Sequence, residues 1–288
     1  MDHDARLSLR HASEGQSAVK WHRTCRSEAV KPLIAILLFS LTAKVSLAAP
    51  SPLDEMIGRA NDQVSKFVEQ FSDVKCTEHV TQEKFKPDGK SELKEESTYD
   101  YLVILTNAGG EISLDESRLA VHEQKKEQKK NLSMLVSNGF ATLFLVFHPY
   151  YSSGFQFSDV GEDSIDGHKF HKVQFKHIPG MRSPAALSLR GREYPLDLVG
   201  VAWIDPDTGT IAKIDAGLEN NMEDIGLKSM RSQVVFRPMP FKGAKDIYWF
   251  PSQASVEVET PRQHWRNTHN FTDYKRFSVS TEEKVAEK

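Results

Sequence analysis

The chain has 288 residues and a formal net charge of −3 at pH 7, which gives no electrostatic reason to bind nucleic acid. Of its two cysteines only Cys76 lies beyond residue 48, so an internal disulfide framework in the mature chain is excluded. Some 240 residues remain after that point, enough to bury a core without covalent staples.

Residues 33–43 read LIAILLFSLTA. A membrane-spanning helix needs about 20 apolar residues, so this run is too short to be an anchor and fits the apolar region of a secretory signal peptide. Lys31 precedes it, and Ser46-Leu47-Ala48 places small residues at the −3 and −1 positions of a cleavage site. Cleavage near Ala48 directs the mature chain to the periplasm or outside the cell. The residue directly after that site is Ala49 and not a cysteine, so lipid attachment of the bacterial lipoprotein type is not indicated. Residues 1–29 are polar and carry both charge signs. They are either a long leading region or upstream of a true start near Val30. Residues 1–48 are therefore read as leader, 49–280 as a single β-rich domain and 281–288 as a charged tail. Removing the leader takes seven basic and four acidic residues and leaves a net charge of −6.

The mature domain opens with an amphipathic helix. Ser51 suits the N-cap, Pro52 the first helical position, and Asp54 and Glu55 the first turn. Leu53, Met56, Ile57, Ala60, Val64, Phe67, Val68 and Phe71 then recur at three- and four-residue spacing, a stripe that requires a surface to lie on. Strands are expected over 74–85 and 91–106, joined by Lys86-Pro87-Asp88-Gly89-Lys90, and over 111–120. Tyr99, Tyr101, Val103 and Leu105 share one face of the second strand. A second helix is read over 131–147 from Leu132, Leu135, Val136, Phe140, Leu143, Phe144 and Phe147, with His148-Pro149 ending it. Gly139 weakens that helix, and residues 141–147 alone also suit a buried strand. Hairpins follow: 155–165 with 168–178 across Asp166-Gly167, the type I′ pair, and 198–204 with 210–216. Strands over 232–238, 247–258 and 263–279 close the domain. Neighbouring strands joined by short turns pair antiparallel. The fold class is mainly β: a curved antiparallel sheet forming an unclosed barrel, with two or more helices packed in its concave face.

Each candidate for chemistry has a plainer reading. Asp207-Thr208-Gly209 spells an aspartic-protease signature, but it sits at a hairpin tip after Asp205-Pro206 and occurs once, so turn chemistry accounts for it. Asp205-x-Asp207 lacks the ligands that complete a calcium loop. His171 and His177 share a strand face, yet lie about 20 Å apart at about 3.3 Å per residue, too far to bind one metal, and His168 points away. No phosphate loop, nucleophile elbow, HExxH or paired CxxC motif is present. No catalytic residue, metal or cofactor is expected, and a binding role is read in preference to an enzymatic one. Cys76 reads as a small apolar filler. The run EQKKEQKK at 123–130 is either a solvated loop or a basic lip able to meet a membrane surface or acidic partner.

The opening helix after the signal peptide, the segment 131–147 and the hairpin Val201-Ala-Trp203-Ile-Asp205…Thr208-Gly-Thr-Ile-Ala-Lys213 together resemble the periplasmic lipoprotein-carrier superfamily, the LolA/LolB-like fold, which also includes sigma-regulatory sensor domains. Tyr248-Trp-Phe-Pro-Ser252 and Tyr274-Lys-Arg-Phe277 are similar to the same group. The insertions around 179–195 and 220–230 depart from it, and the missing lipobox cysteine speaks against a membrane-anchored receptor. The resemblance implies an unclosed barrel whose helices plug a hydrophobic cavity, and a partner that is a hydrophobic ligand or an acylated protein. The expected lining is Tyr101, Val103, Val201 and Trp203, lidded by Phe140, Phe144 and Phe147. The same side chains also suit a closed core. An envelope protein-interaction or sensor module is the alternative function, and an unrecognised hydrolase a more remote one.

Overall fold

The computed structural model describes residues 5–7, 50–71, 74–108, 111–121, 141–189, 192–241 and 247–276. In chain order the elements are β1 (Ala5–Leu7), α1 (Pro52–Phe71), β2 (Val74–Phe85), β3 (Ser91–Ala108), β4 (Glu111–Ala120), α2 (Ala141–Phe144), a 3-10 turn (Leu145–Phe147) and α3 (Pro149–Ser152). Then come β5 (Phe155–Ile165), β6 (His168–His177), β7 (Ala186–Leu189), β8 (Arg192–Pro195), β9 (Leu198–Ile204), β10 (Ile211–Leu218), a second 3-10 turn (Glu223–Ile225), β11 (Ser229–Met239), β12 (Tyr248–Glu259) and β13 (His264–Arg276).

Ten strands form one unclosed antiparallel sheet in the order β4-β3-β2-β13-β12-β11-β10-β9-β6-β5. The first and last of these strands along the chain, β2 and β13, pair over a long register from His264↔Phe85 to Arg276↔Val74, so two meanders meet at that seam. The sheet edges are then β4 and β5, which follow one another in sequence. The described part of the chain between them, from α2 to α3, packs against α1 and the inner face of the sheet.

Local chemistry sets the turns. Ser51 caps α1: its Oγ accepts from Asp54 N (3.1 Å), and Asp54 Oδ2 accepts from Ser51 N (3.1 Å) and Oγ (2.8 Å), a reciprocal cap. These bonds lower the Asp54 pKa, the side-chain bond from Ser51 contributing most. Asp166 and Gly167 have φ of 52° and 83°, as the type I′ turn requires. Asp205 Oδ1 accepts from Asp207 N and Thr208 N, both at 2.9 Å, so the Asp-Thr-Gly triplet is built by an Asx turn.

Alternation along the strands divides the residues between two faces. On β2, Val74, Cys76, Glu78 and Val80 are buried; on β9, Leu198, Ala202 and Ile204 are buried. This inner face receives α1 through Met56, Ala60, Val64 and Val68, the stripe expected from spacing. Full burial of a Met or Val side chain contributes about 1.5–3 kcal/mol. Packing of that stripe, rather than intrinsic propensity, therefore holds the helix in place.

Several elements differ from expectation. Of the helix expected over 131–147, residues 141–147 are helical, while 131–140 lie outside the described residues, as do the 123–130 run and the tail 281–288. Pro149 does end that run, but it also starts α3, with the His148 side chain accepting from Tyr150 N at 3.1 Å. The insertion around 179–195 forms β7 and β8, a small second sheet. Ala5–Leu7, read from sequence as leader outside the fold, pairs antiparallel along β7.

Candidate functional site

The inner face beneath the helices is built from aromatic rings. Phe67 of α1 meets Phe144 edge-on at 4.8 Å between centroids and Phe250 of β12 at 5.4 Å. Phe147 meets Phe157 at 5.4 Å and Phe175 at 5.9 Å. Such pairs add about 0.5–1.5 kcal/mol beyond the area they bury. Phe144 and Phe147 are 2% and 0% exposed, and Leu145 and Val146 are fully buried between them. Four consecutive buried residues need cover on every side, which the tight 3-10 turn and the strap from α2 to α3 provide.

Polar ties from α1 to its surroundings are few. Arg59 Nε donates to Pro206 O at 2.9 Å. The Asn61 amide, oriented so that its nitrogen donates, reaches Phe147 O at 2.7 Å. The β9–β10 hairpin tip fits against the helix because residue 209 is glycine. Its φ is +74°, and a Cβ there would lie 2.3 Å from the Arg59 carbonyl carbon.

The expected lining is brought together only in part. Tyr101 and Val103 are buried on the inner face of β3 at 1% and 0% exposure, with Phe144 and Phe147 in the same core cluster. Phe140 lies outside the described residues. Val201 and Trp203 do not join them. Ala202 and Ile204 are the inward residues of β9, so the alternating side chains Val201 and Trp203 stand on the outer face. The sequence grouped them with the cavity because β9 is apolar at every position from Val199 to Ile204 apart from Gly200, and such a strand does not announce its inner face.

On the outer face Val201 and Trp203 line a shallow, open depression of about 400 Å³ with Gln174, Val199, Gly217 and Arg231. Trp203 Nε1 donates to Asp163 Oδ2 at 2.9 Å, and Lys213 Nζ lies 4.5 Å from its ring centroid. Asp215 accepts from Arg231 Nε (3.0 Å), Arg231 Nη2 (2.7 Å) and Gln233 (3.2 Å). Partial burial pushes the Asp215 pKa up, but these bonds outweigh it and hold the carboxyl below its usual range.

A cluster the sequence did not group lies on the inner face, where a side chain of β4 reaches across β3 to β2 and β13. Glu78, fully buried, accepts from Arg118 Nε on Oε2 at 2.6 Å and from Nη2 on Oε1 at 3.0 Å, and His269 Nδ1 stands 2.8 Å from the same Oε1. Arg118 also lies over the Tyr101 ring at 4.8 Å. Burial pushes the Glu78 pKa up; hydrogen bonds from His269 and Arg118, with the Arg118 charge, overcome it and leave the carboxyl below the usual glutamate range. Cys76 is two residues away on the same strand face. Burial, reinforced by the Glu78 charge, pushes its thiol up to about 12, which removes the thiolate needed for nucleophilic chemistry. Burial and then Cys76 raise Tyr274 well above the tyrosine value, and its hydroxyl donates to Pro251 O at 2.6 Å. Strand pairing of residues far apart in sequence creates this cluster, and only the alternation of β2, which buries a glutamate, hinted at it.

The strand histidines go to separate duties. His171 faces Asp159 at 2.9 Å on the surface. His177, 2% exposed, lies between Asp197 Oδ1 (2.7 Å) and Met181 O (3.2 Å). Among the described residues no three His, Cys, Asp or Glu side chains are placed to hold a metal ion, and no helix is long and apolar enough to cross a membrane.

No protein-family model matches the sequence, and no curated protein matches it. Among solved structures, the chain is similar to a protein of the DUF1329 family from Desulfovibrio piger, at 14% identity and a TM-score of 0.42, over 83% of this chain and 98% of that one. It is also similar to an outer membrane lipoprotein-sorting protein domain from Vibrio parahaemolyticus, at 11% identity and a TM-score of 0.37, over 79% and 94% of the two chains. A third is the lipoprotein LppX of Mycobacterium tuberculosis, at 13% identity and a TM-score of 0.22, over 79% and 98%.

Proposed function

We propose that this is an exported, non-enzymatic protein of the cell envelope that holds a hydrophobic ligand, such as a lipid or the acyl chains of a lipoprotein, between the inner face of the sheet and its helices. The observation that carries this reading is the way the inner face is covered. Its largest apolar surface is closed by α1 and the strap from α2 to α3, and none of the ladder bonds of the ten-stranded sheet runs through them. Apolar contact is non-directional, so an acyl chain can replace a helix against the same phenylalanines. Each methylene buried recovers about 0.8 kcal/mol. Tyr101, Val103, Phe144 and Phe147 are the contact residues of this reading. The leader supports export to the periplasm, and the 123–130 basic run supplies a means of approaching an anionic membrane surface.

The test is native mass spectrometry of the chain exported into a bacterial periplasm with its own leader. A mature mass starting at Ala49, carrying a lipid or acyl peptide that is displaced by a fluorescent fatty acid, supports the reading. Replacing Phe144 by Ala should weaken fatty-acid binding, and replacing Trp203 by Ala should leave it unchanged. An apo mass with no fatty-acid uptake sinks the carrier reading and favours an envelope interaction module.

A further inference from the structure

β6 and β9 are paired neighbours, with Lys176 opposite Val199, yet the chain joins them by a long excursion instead of a tight turn. The excursion leaves after His177 and returns at Leu198. Its two legs are tied to each other: Leu196 N donates to Ala185 O at 3.0 Å, Ser183 Oγ donates to Leu196 O at 2.9 Å, and β7 pairs with β8. The result is an arm hung from the end of one hairpin, outside the ten-stranded sheet. It nonetheless places Ala185, Leu187 and Leu196, at 2%, 6% and 0% exposure, into the main core. It also closes over the end of the strap. Ile178 N donates to Gly154 O at 2.8 Å, Arg182 lies over the Tyr150 ring at 4.5 Å, and a Cβ at Gly154 would meet Arg182 O at 2.7 Å.

One side chain engages both legs at the base of this arm. The buried His177 ring has Met181 O of the outgoing leg on one nitrogen and Asp197 of the returning leg on the other, with Phe155 against its face at 5.2 Å. The Asp197 side chain is half-exposed, so water reaches one end of the clasp.

We propose that this arm is the gate of the inner-face site and that His177 is its latch, with Asp197 as the catch. The inference rests on the carrier reading, since a gate needs a ligand to admit. An apolar arm lifting on two hinge points exposes Phe155 and the Phe147 end of the strap without breaking a ladder bond of the main sheet. Its opening free energy is then set by a few hydrogen bonds and the buried side chains Pro184, Ala185, Leu187 and Leu196, well below that of global unfolding.

The test compares the exported chain with His177→Phe, which keeps a ring against Phe155 and loses both hydrogen bonds, and with Asp197→Asn, at a half-exposed position that leaves the core intact. Hydrogen exchange is followed at the Leu196 and Ile178 amides and, as control, along β12. The expected result is exchange faster by about tenfold at the two arm amides in His177→Phe, and by less in Asp197→Asn, as loss of hydrogen bonding at the base predicts. β12 should be unchanged, and fluorescent fatty-acid uptake should quicken in the same order. If His177→Phe fails to fold, Asp197→Asn alone decides. Arm amides that stay protected overturn the latch. Loosened arm amides with unaltered uptake overturn the gate while leaving the carrier reading standing, and absence of uptake in every form, wild type included, removes both.

Discussion

The two ends of the inner face are closed by opposite kinds of chemistry. Under α1 and the strap, Phe67, Phe144, Phe147, Phe175 and Phe250 pack ring against ring, with few polar ties to the helix. On β2, a buried carboxylate holds a guanidinium from β4, reaching across β3, and an imidazole from β13, each within 3.0 Å of it. Contact between rings tolerates sliding and exchange of partners, whereas a buried ion pair works at one geometry and fails at others. On the carrier reading the aromatic end is the one that opens, while the ionic end ties β4 to β2 and β13.

The contrast is broken most sharply at Glu78. Replacing it by Ala leaves Arg118 facing the interior without its carboxylate, and should cost about 3–5 kcal/mol in a urea melt. Because the folded-state pKa of Glu78 lies below the ordinary 4.5, its contribution is fully present above that value. It is lost as pH falls through the lower folded value. Wild-type stability should therefore drop on acidification below about 4.5, and the Glu78→Ala variant should show a shallower drop. Equal slopes would mean the ionic end contributes nothing specific.

At the aromatic end, Phe144→Ala should cost about 3–4 kcal/mol in the same assay, with part of that loss recovered on adding a fatty acid that fills the space. No recovery would make this end as rigid as the other. Gly209→Ala tests the hairpin tip that meets α1. A side chain at φ +74° against the Arg59 backbone should cost about 2–3 kcal/mol by strain and crowding, and should speed hydrogen exchange in α1 relative to β13. The smallest effect is expected on the outer face. Trp203→Ala removes one hydrogen bond and one cation–π contact and should cost about 1 kcal/mol without altering fatty-acid binding. A loss of binding there would move the site to the outer depression.

Much of this was legible from residue order. The five-turn stripe of α1, its Ser51 cap, the Asp166-Gly167 and Asp205–Gly209 turns and nearly every strand of the ten-stranded sheet follow from periodicity and turn chemistry, because those signals are local. The helical character of residues 141–147 was legible too, although the spacing also suited a strand. Which face of β9 turns inward was not, since Val201 and Trp203 are as apolar as Ala202 and Ile204, and the choice is made by where α1 and the strap lie. Segment 179–195 carried no strand pattern long enough to read, and its order comes from contacts with Gly154, Tyr150 and His177.

By itself the sequence determined a β-rich domain with an amphipathic helix to cover it. Tertiary structure alone decided that β2 and β13 meet in the middle of the sheet, that β4 and β5 become its edges, and that the segment from α2 to α3 packs on the inner face. The same pairing brought Glu78, Arg118 and His269 together across 191 positions of sequence. Hydrophobic period and turn geometry act over a few residues, whereas strand partners and buried ion pairs depend on how the whole chain closes, and no local signal carries that information.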